Sequence, residues 1–162
     1  MKPYIHSWAS GTGNSILWNI GSSVGKGAAN NSPCDIFYLQ WYYTLSAQAG
    51  ITPEERKVIY RKVQMTGHCR GTDNDPLVAA ISAQQEAMAH PRIDGRINVA
   101  HGAGKIDGKA FHILRLGARL ATLYPNLWPR LDLMPGCPAL VAQAVRDVIP
   151  NMFHLSDTHA QG

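Results

Sequence analysis

Residues 21–40 read GSSVGKGAANNSPCDIFYLQ. A loop rich in glycine and asparagine stops at Ser32-Pro33, and an apolar, aromatic-rich segment begins at once. The Ser32 hydroxyl can accept a bond from a backbone N–H of a first helical turn, and proline suits the first helical position, where its missing N–H is no loss. A helix is therefore expected from Pro33, ending by Gly50. It carries Ile36, Leu39, Gln40, Tyr43 and Leu45, with Phe37, Tyr38, Trp41 and Tyr42 on its flanks. A helix apolar nearly all round is central to a fold or buried on two sides. Cys34 stands at the junction, where the free N–H groups of a helix start can stabilise a thiolate.

Working outward, Thr52-Pro53-Glu54-Glu55 reads as a capping box, with Thr52 as cap and Glu55 reaching back. Val58, Ile59, Val63 and Met65 give the second helix a partial apolar stripe, and Gly67 stops it. Asp75-Pro76 opens a third helix, with Leu77, Ile81, Gln84 or Gln85, and Met88 on one face, closed by His90-Pro91. Residues 92–105 read as loop with a small hairpin. A fourth helix is expected from about Gly108 to Tyr124, with Phe111, Leu114, Ala118 and Ala121 facing one way. Pro125, Pro129 and Pro135 then break the chain. A last helix starts at Pro138, presents Val141, Val145 and Val148, and ends at Pro150 ahead of a polar tail to Gly162. Residues 1–33, with Trp8, Gly11, Gly13 and Trp18, show no sustained period and suggest a short strand or an ordered arm. No internal repeat is visible. The fold expected is mainly α.

The chain has 162 residues, 45% of them apolar and 16% charged, enough for one packed core. A net charge of +4 and a pI near 9.1 favour anionic partners. No Lys/Arg-rich run marks a nucleic-acid site, so nucleic acid is not an expected partner. No stretch approaches the roughly 20 apolar residues of a membrane span. The opening MKPYIHSWAS lacks the apolar segment of a signal peptide, so synthesis in the cytoplasm is expected, and work outside it would need another export route. Cys34, Cys69 and Cys137 are too few and too scattered for a disulfide framework. Neither C-x-x-C nor H-E-x-x-H occurs among the cysteines and seven histidines, so neither a metal nor another cofactor is expected. The segment Gly21 to Gly27 departs from a phosphate loop. Only Ser22, Ser23 and Val24 separate its first glycine from Gly25-Lys26, and Gly27 stands where a hydroxyl is needed.

Two function classes remain. In one, Cys34 is a nucleophile and His101 or His112 its base. A cysteine at a helix start with a later histidine is similar to the papain-like cell-wall amidases. That likeness implies a small cysteine hydrolase of peptidoglycan peptides.

The other class rests on three blocks in order: VGKGAANNSPCDIFYLQ, GHCRGTDNDPLVAAISAQQ and HPRIDGRINVAHGAGKIDGKAFHILRL. Together they resemble the peptidoglycan-binding-like domains, a small three-helix family. Asp35, Ile36, Leu39 and Gln40 fall in matching places, as do Gly67, Cys69, Gly71, Ala80, Ile81 and Gln85, and then Asp94, Gly95, Arg96 and Ile97. In this pattern glycine loops turn the chain between helices, and each helix-ending glutamine can bond the neighbouring loop. The resemblance implies a compact helical bundle with a three-helix core over residues 24–124, here with an extra helix between Ile51 and Met65. Residues 1–23 form an N-terminal arm, and residues 125–162 a C-terminal helical extension packed on the domain, where Trp128 could also serve a docking surface.

The resemblance further implies a non-catalytic cell-wall module or a secretion-associated accessory protein, either cargo or adaptor of type VI secretion. Such a protein would reach the periplasm through the secretion system. Its partners would be peptidoglycan or a secretion-system or effector protein, and an adaptor or immunity protein is a third reading. Tyr38, Trp41 and Tyr42 would stack on sugar rings, and Arg70 and Arg96 would bond carboxylates.

Overall fold

The helix expected from Pro33 forms as α1 (Pro33–Gln48), and the second, third and last helices pack against it. The structure, a computed structural model, describes residues 1–10, 14–29 and 32–161, with side chains of residues 1, 16–29 and 32–150. Readings that touch Gly11, Gly13, Asn30, Asn31, Gly162 or the Trp8 side chain lie outside the described residues. The Ser32 hydroxyl accepts from the Asp35 N–H at 3.4 Å, as a cap should. Ile36, Tyr38, Leu39, Trp41, Tyr42, Tyr43 and Leu45 are all buried, so α1 is surrounded on several sides. The protein is mainly α, as the sequence suggests.

Helix α2 (Glu54–Tyr60) departs from the expected box. The Thr52 N–H still bonds the Ala49 carbonyl in the turn leaving α1, so Pro53 becomes the cap and the helix starts one residue late. Thr52 is buried, and its hydroxyl makes no hydrogen bond. The helix also stops at Tyr60, well before Gly67, and Val63 is buried from the turn that follows. Asp75 caps α3 (Pro76–Ala87) as expected, accepting from the Leu77 N–H at 2.8 Å. Its second oxygen accepts from the Arg70 N–H at 2.7 Å, which ties the preceding loop to the helix start.

Strand β1 (Lys2–Ser10) pairs antiparallel with β2 (Asn14–Asn19). The short strand β3 (Val24–Gly25) pairs with β4 (Arg96–Ile97), and β5 (Lys105–Ile106) with β6 (Lys109–Ala110). The β3–β4 pair brings the first glycine block against the third. Gly25 has φ +117°, and a Cβ there would drive into the Gly95 carbonyl. Helix α4 (His112–Leu123) starts later than expected because the β5–β6 hairpin occupies the residues before it.

Helix α5 (Ala139–Gln161) continues through Pro150. A proline removes one backbone bond from a helix without obliging the helix to end there. Strand β2 and the segment after α4 interlock through indole N–H groups: Trp18 Nε1 donates to the Pro129 carbonyl at 2.9 Å, and Trp128 Nε1 to the Ile16 carbonyl at 3.0 Å. Trp41 Nε1 of α1 donates to the Pro135 carbonyl at 2.9 Å. Trp128 is thus buried against β2 and α4 and offers no docking face.

A repeat that the sequence does not display is visible in the hydrogen bonds. Gln40 Oε1 accepts from the N–H groups of Thr66 and Gly67 at 3.0 and 2.9 Å, and its Nε2 donates to the His68 carbonyl at 3.1 Å. Gln85 Oε1 accepts from the N–H groups of Asp94 and Gly95 at 3.0 and 2.9 Å, and its Nε2 donates to the Arg96 carbonyl at 2.8 Å. Within each turn the first side chain accepts from the third N–H, Thr66 Oγ1 from His68 and Asp94 Oδ1 from Arg96. Both central glycines are left-handed, at φ +70° and +69°. One glutamine clamp is thus used twice. The repeat hides in sequence because α2 lies between Gln40 and its turn, whereas Gln85 reaches a turn close behind its own helix.

Candidate functional site

The first clamp forms the floor of a groove of about 360 Å³. Gln40 is buried, and its amide is consumed by the turn, since Nε2 also donates to Thr66 Oγ1 at 3.0 Å. It therefore shapes the groove without facing a ligand. The rim carries Lys62, Gln64, His68, Arg70 and Asn74, all exposed. Asp75 lies deeper, its carboxylate held by backbone N–H groups. The rim is therefore rich in cationic and amide groups, suited to carbonyl, acetamido and carboxylate oxygens, while Val63, Pro76 and Leu77 give the groove an apolar wall.

Of the residues expected to bind, Arg70 lines this groove. Arg96 lies elsewhere, on β4, with Nη2 about 3.6 Å from where a Cβ on Gly27 would sit. Tyr38, Trp41 and Tyr42 are at most 1% exposed, so their ring faces are in the core and cannot stack on a sugar. The all-round apolar character of α1 required this burial, and it overrides the stacking role. Lys62, Gln64, His68 and Asn74 were not singled out from sequence. Their signal was their nearness to the Thr66-Gly67-His68 turn.

The cysteine reading finds no assembled pair among the described residues. Cys34 Sγ faces the Leu140 carbonyl at 3.5 Å. Burial pushes its thiol up, the N-terminal ammonium opposes this, and Asp35 adds to the rise, so the thiolate expected of the helix start is not favoured. The His101 ring packs edge-on against Phe111, with centroids 4.9 Å apart. His112 is buried, its Nε2 2.9 Å from Gln84 Oε1 and its Nδ1 3.4 Å from Gln85 Nε2. That network puts the proton on Nε2, with Gln84 Oε1 accepting it. Burial draws His112 down to about 3, helped by His90 and Arg115, so it is neutral and serves the α3–α4 contact. Among the described residues no group of three or more His, Cys, Asp or Glu side chains could hold a metal ion, and no helix is long and apolar enough to cross a membrane.

Compared with protein families, with curated proteins and with solved structures, the chain matches none of them.

Proposed function

We propose that this chain is a non-catalytic binding module for peptidoglycan, using the groove above the first glutamine clamp. The observation that carries this reading is the doubled clamp. It makes one structural unit of the three blocks on which the resemblance to peptidoglycan-binding-like domains rests. Lys62 and Arg70 answer the carboxylates of a wall peptide, and Gln64 and Asn74 answer acetamido groups. A place beside the cargo of a type VI secretion system follows from the same resemblance and belongs to the proposal.

The test is co-sedimentation with purified peptidoglycan sacculi. The intact chain is expected in the pellet, and a Lys62→Ala/Arg70→Ala variant largely in the supernatant. An intact chain that stays in the supernatant contradicts the reading.

A further inference from the structure

A second cavity, of about 290 Å³, lies between α1, α2, α3 and α4 and shares no lining residue with the groove. Three guanidinium groups converge on it: Arg56 from α2, with Arg115 and Arg119 one helical turn apart on α4. No carboxylate lines it, and among the described residues no ion pair involves any of the three arginines. The Nε atoms of Arg56 and Arg119 are buried without a hydrogen-bond partner, and so is the Thr52 hydroxyl, on a residue only 5% exposed. Arg56 and Arg119 both act on the hydroxyls of Tyr42 and Tyr60, which puts the two cations around the same phenols. The Tyr42 hydroxyl accepts from Gln84 Nε2 at 2.7 Å, leaving its own proton for Ser46 or a ligand. Burial draws the Arg115 guanidinium below its usual range.

Crowding half-buried cations without a counter-ion is unfavourable by itself, because each loses part of its hydration and repels the others. A fold that needed only packing here would be served better by apolar side chains. The arrangement makes physical sense when an anion completes it, and the planar arginine fork matches carboxylate and phosphoryl oxygens in bidentate fashion. The volume lies near the small end of ligand pockets, which run from about 300 Å³ upward.

We propose that this cavity binds a small multivalent oxyanion, a compound with at least two carboxylate or phosphoryl groups, held by Arg56, Arg115 and Arg119 with Thr52 and Tyr42 as hydroxyl donors. The proposal stands apart from the wall-binding reading, and either can fail alone.

The test is thermal melting and titration calorimetry on the full chain with citrate and with pyrophosphate, against sodium chloride of equal ionic strength. A saturable rise in Tm with either anion, beyond that of the salt, is expected. A citrate-only response assigns carboxylates, and a pyrophosphate-only response assigns phosphoryl groups. Arg56→Gln/Arg119→Gln should weaken binding by about tenfold or more. Without anion, its Tm should equal or exceed that of the parent, because a repulsive contact is relieved. Should the double variant not fold, Arg115→Gln alone carries the same expectation. The proposal is overturned if neither anion exceeds the salt, or if the folded variant binds as the parent does.

Discussion

Replacing Gln85 by alanine would remove a side chain that is fully buried and makes three short bonds to one turn. Each bond contributes about 1 kcal/mol net, and a buried group left without a partner costs about 1–3 kcal/mol. The Gly95 N–H is buried, so water cannot readily replace the lost oxygen. The side chain also lies 3.4 Å from His112 Nδ1, a second buried contact that the substitution removes. Together these give an expected loss of about 3–5 kcal/mol. The equivalent change at Gln40 should cost less, about 1–2 kcal/mol, because Thr66 and His68 are exposed and water can take over. Urea unfolding followed by tryptophan fluorescence reads both values. If Gln85→Ala costs no more than Gln40→Ala, the reasoning that burial separates the two clamps is refuted.

Three further outcomes are expected. Gly25→Ala should cost about 3 kcal/mol or more, since φ there is +117° and the new methyl meets the Gly95 backbone; near-parental stability in urea would contradict the β3–β4 contact. His112 is lowered in the folded chain to about 3 from 6.5, so the unfolded chain binds the extra proton. Stability is therefore full above about pH 6.5 and falls as pH drops toward about 3, by up to about 1.4 kcal/mol per pH unit. Unfolding at pH 7 and pH 5 should show this fall in the parent and a smaller one in His112→Gln, and equal falls would remove His112 as its source. Trp128→Ala should cost about 3–5 kcal/mol by opening a cavity beside Gly117 and Leu17 and removing the indole hydrogen bond to the Ile16 carbonyl, as calorimetric melting can check.

The helix starts at Ser32-Pro33 and Asp75-Pro76 were legible because capping is local, a side-chain oxygen answering an N–H two or three residues on. The Thr52 box looked equally good but lost to the Ala49 turn, a competition decided by how α1 leaves the core. The sequence also held a conflict over Tyr38, Trp41 and Tyr42. Their spread around α1 argued burial, while their chemistry suggested sugar stacking, and packing decided it. Gln40 and Gln85 were legible as loop binders. The arginine cavity was not, because Arg56 and the α4 pair come together only through the packing of helices distant in sequence.

The claim that this is a wall-binding module is tested most directly by NMR titration of the intact chain with soluble disaccharide-peptide fragments of peptidoglycan. Backbone shifts should cluster at Lys62, Gln64, His68, Arg70 and Asn74, around the first clamp, and leave Cys34 and His101 unmoved. A titration that moves none of the groove signals, or that moves signals only elsewhere on the chain, would contradict the account.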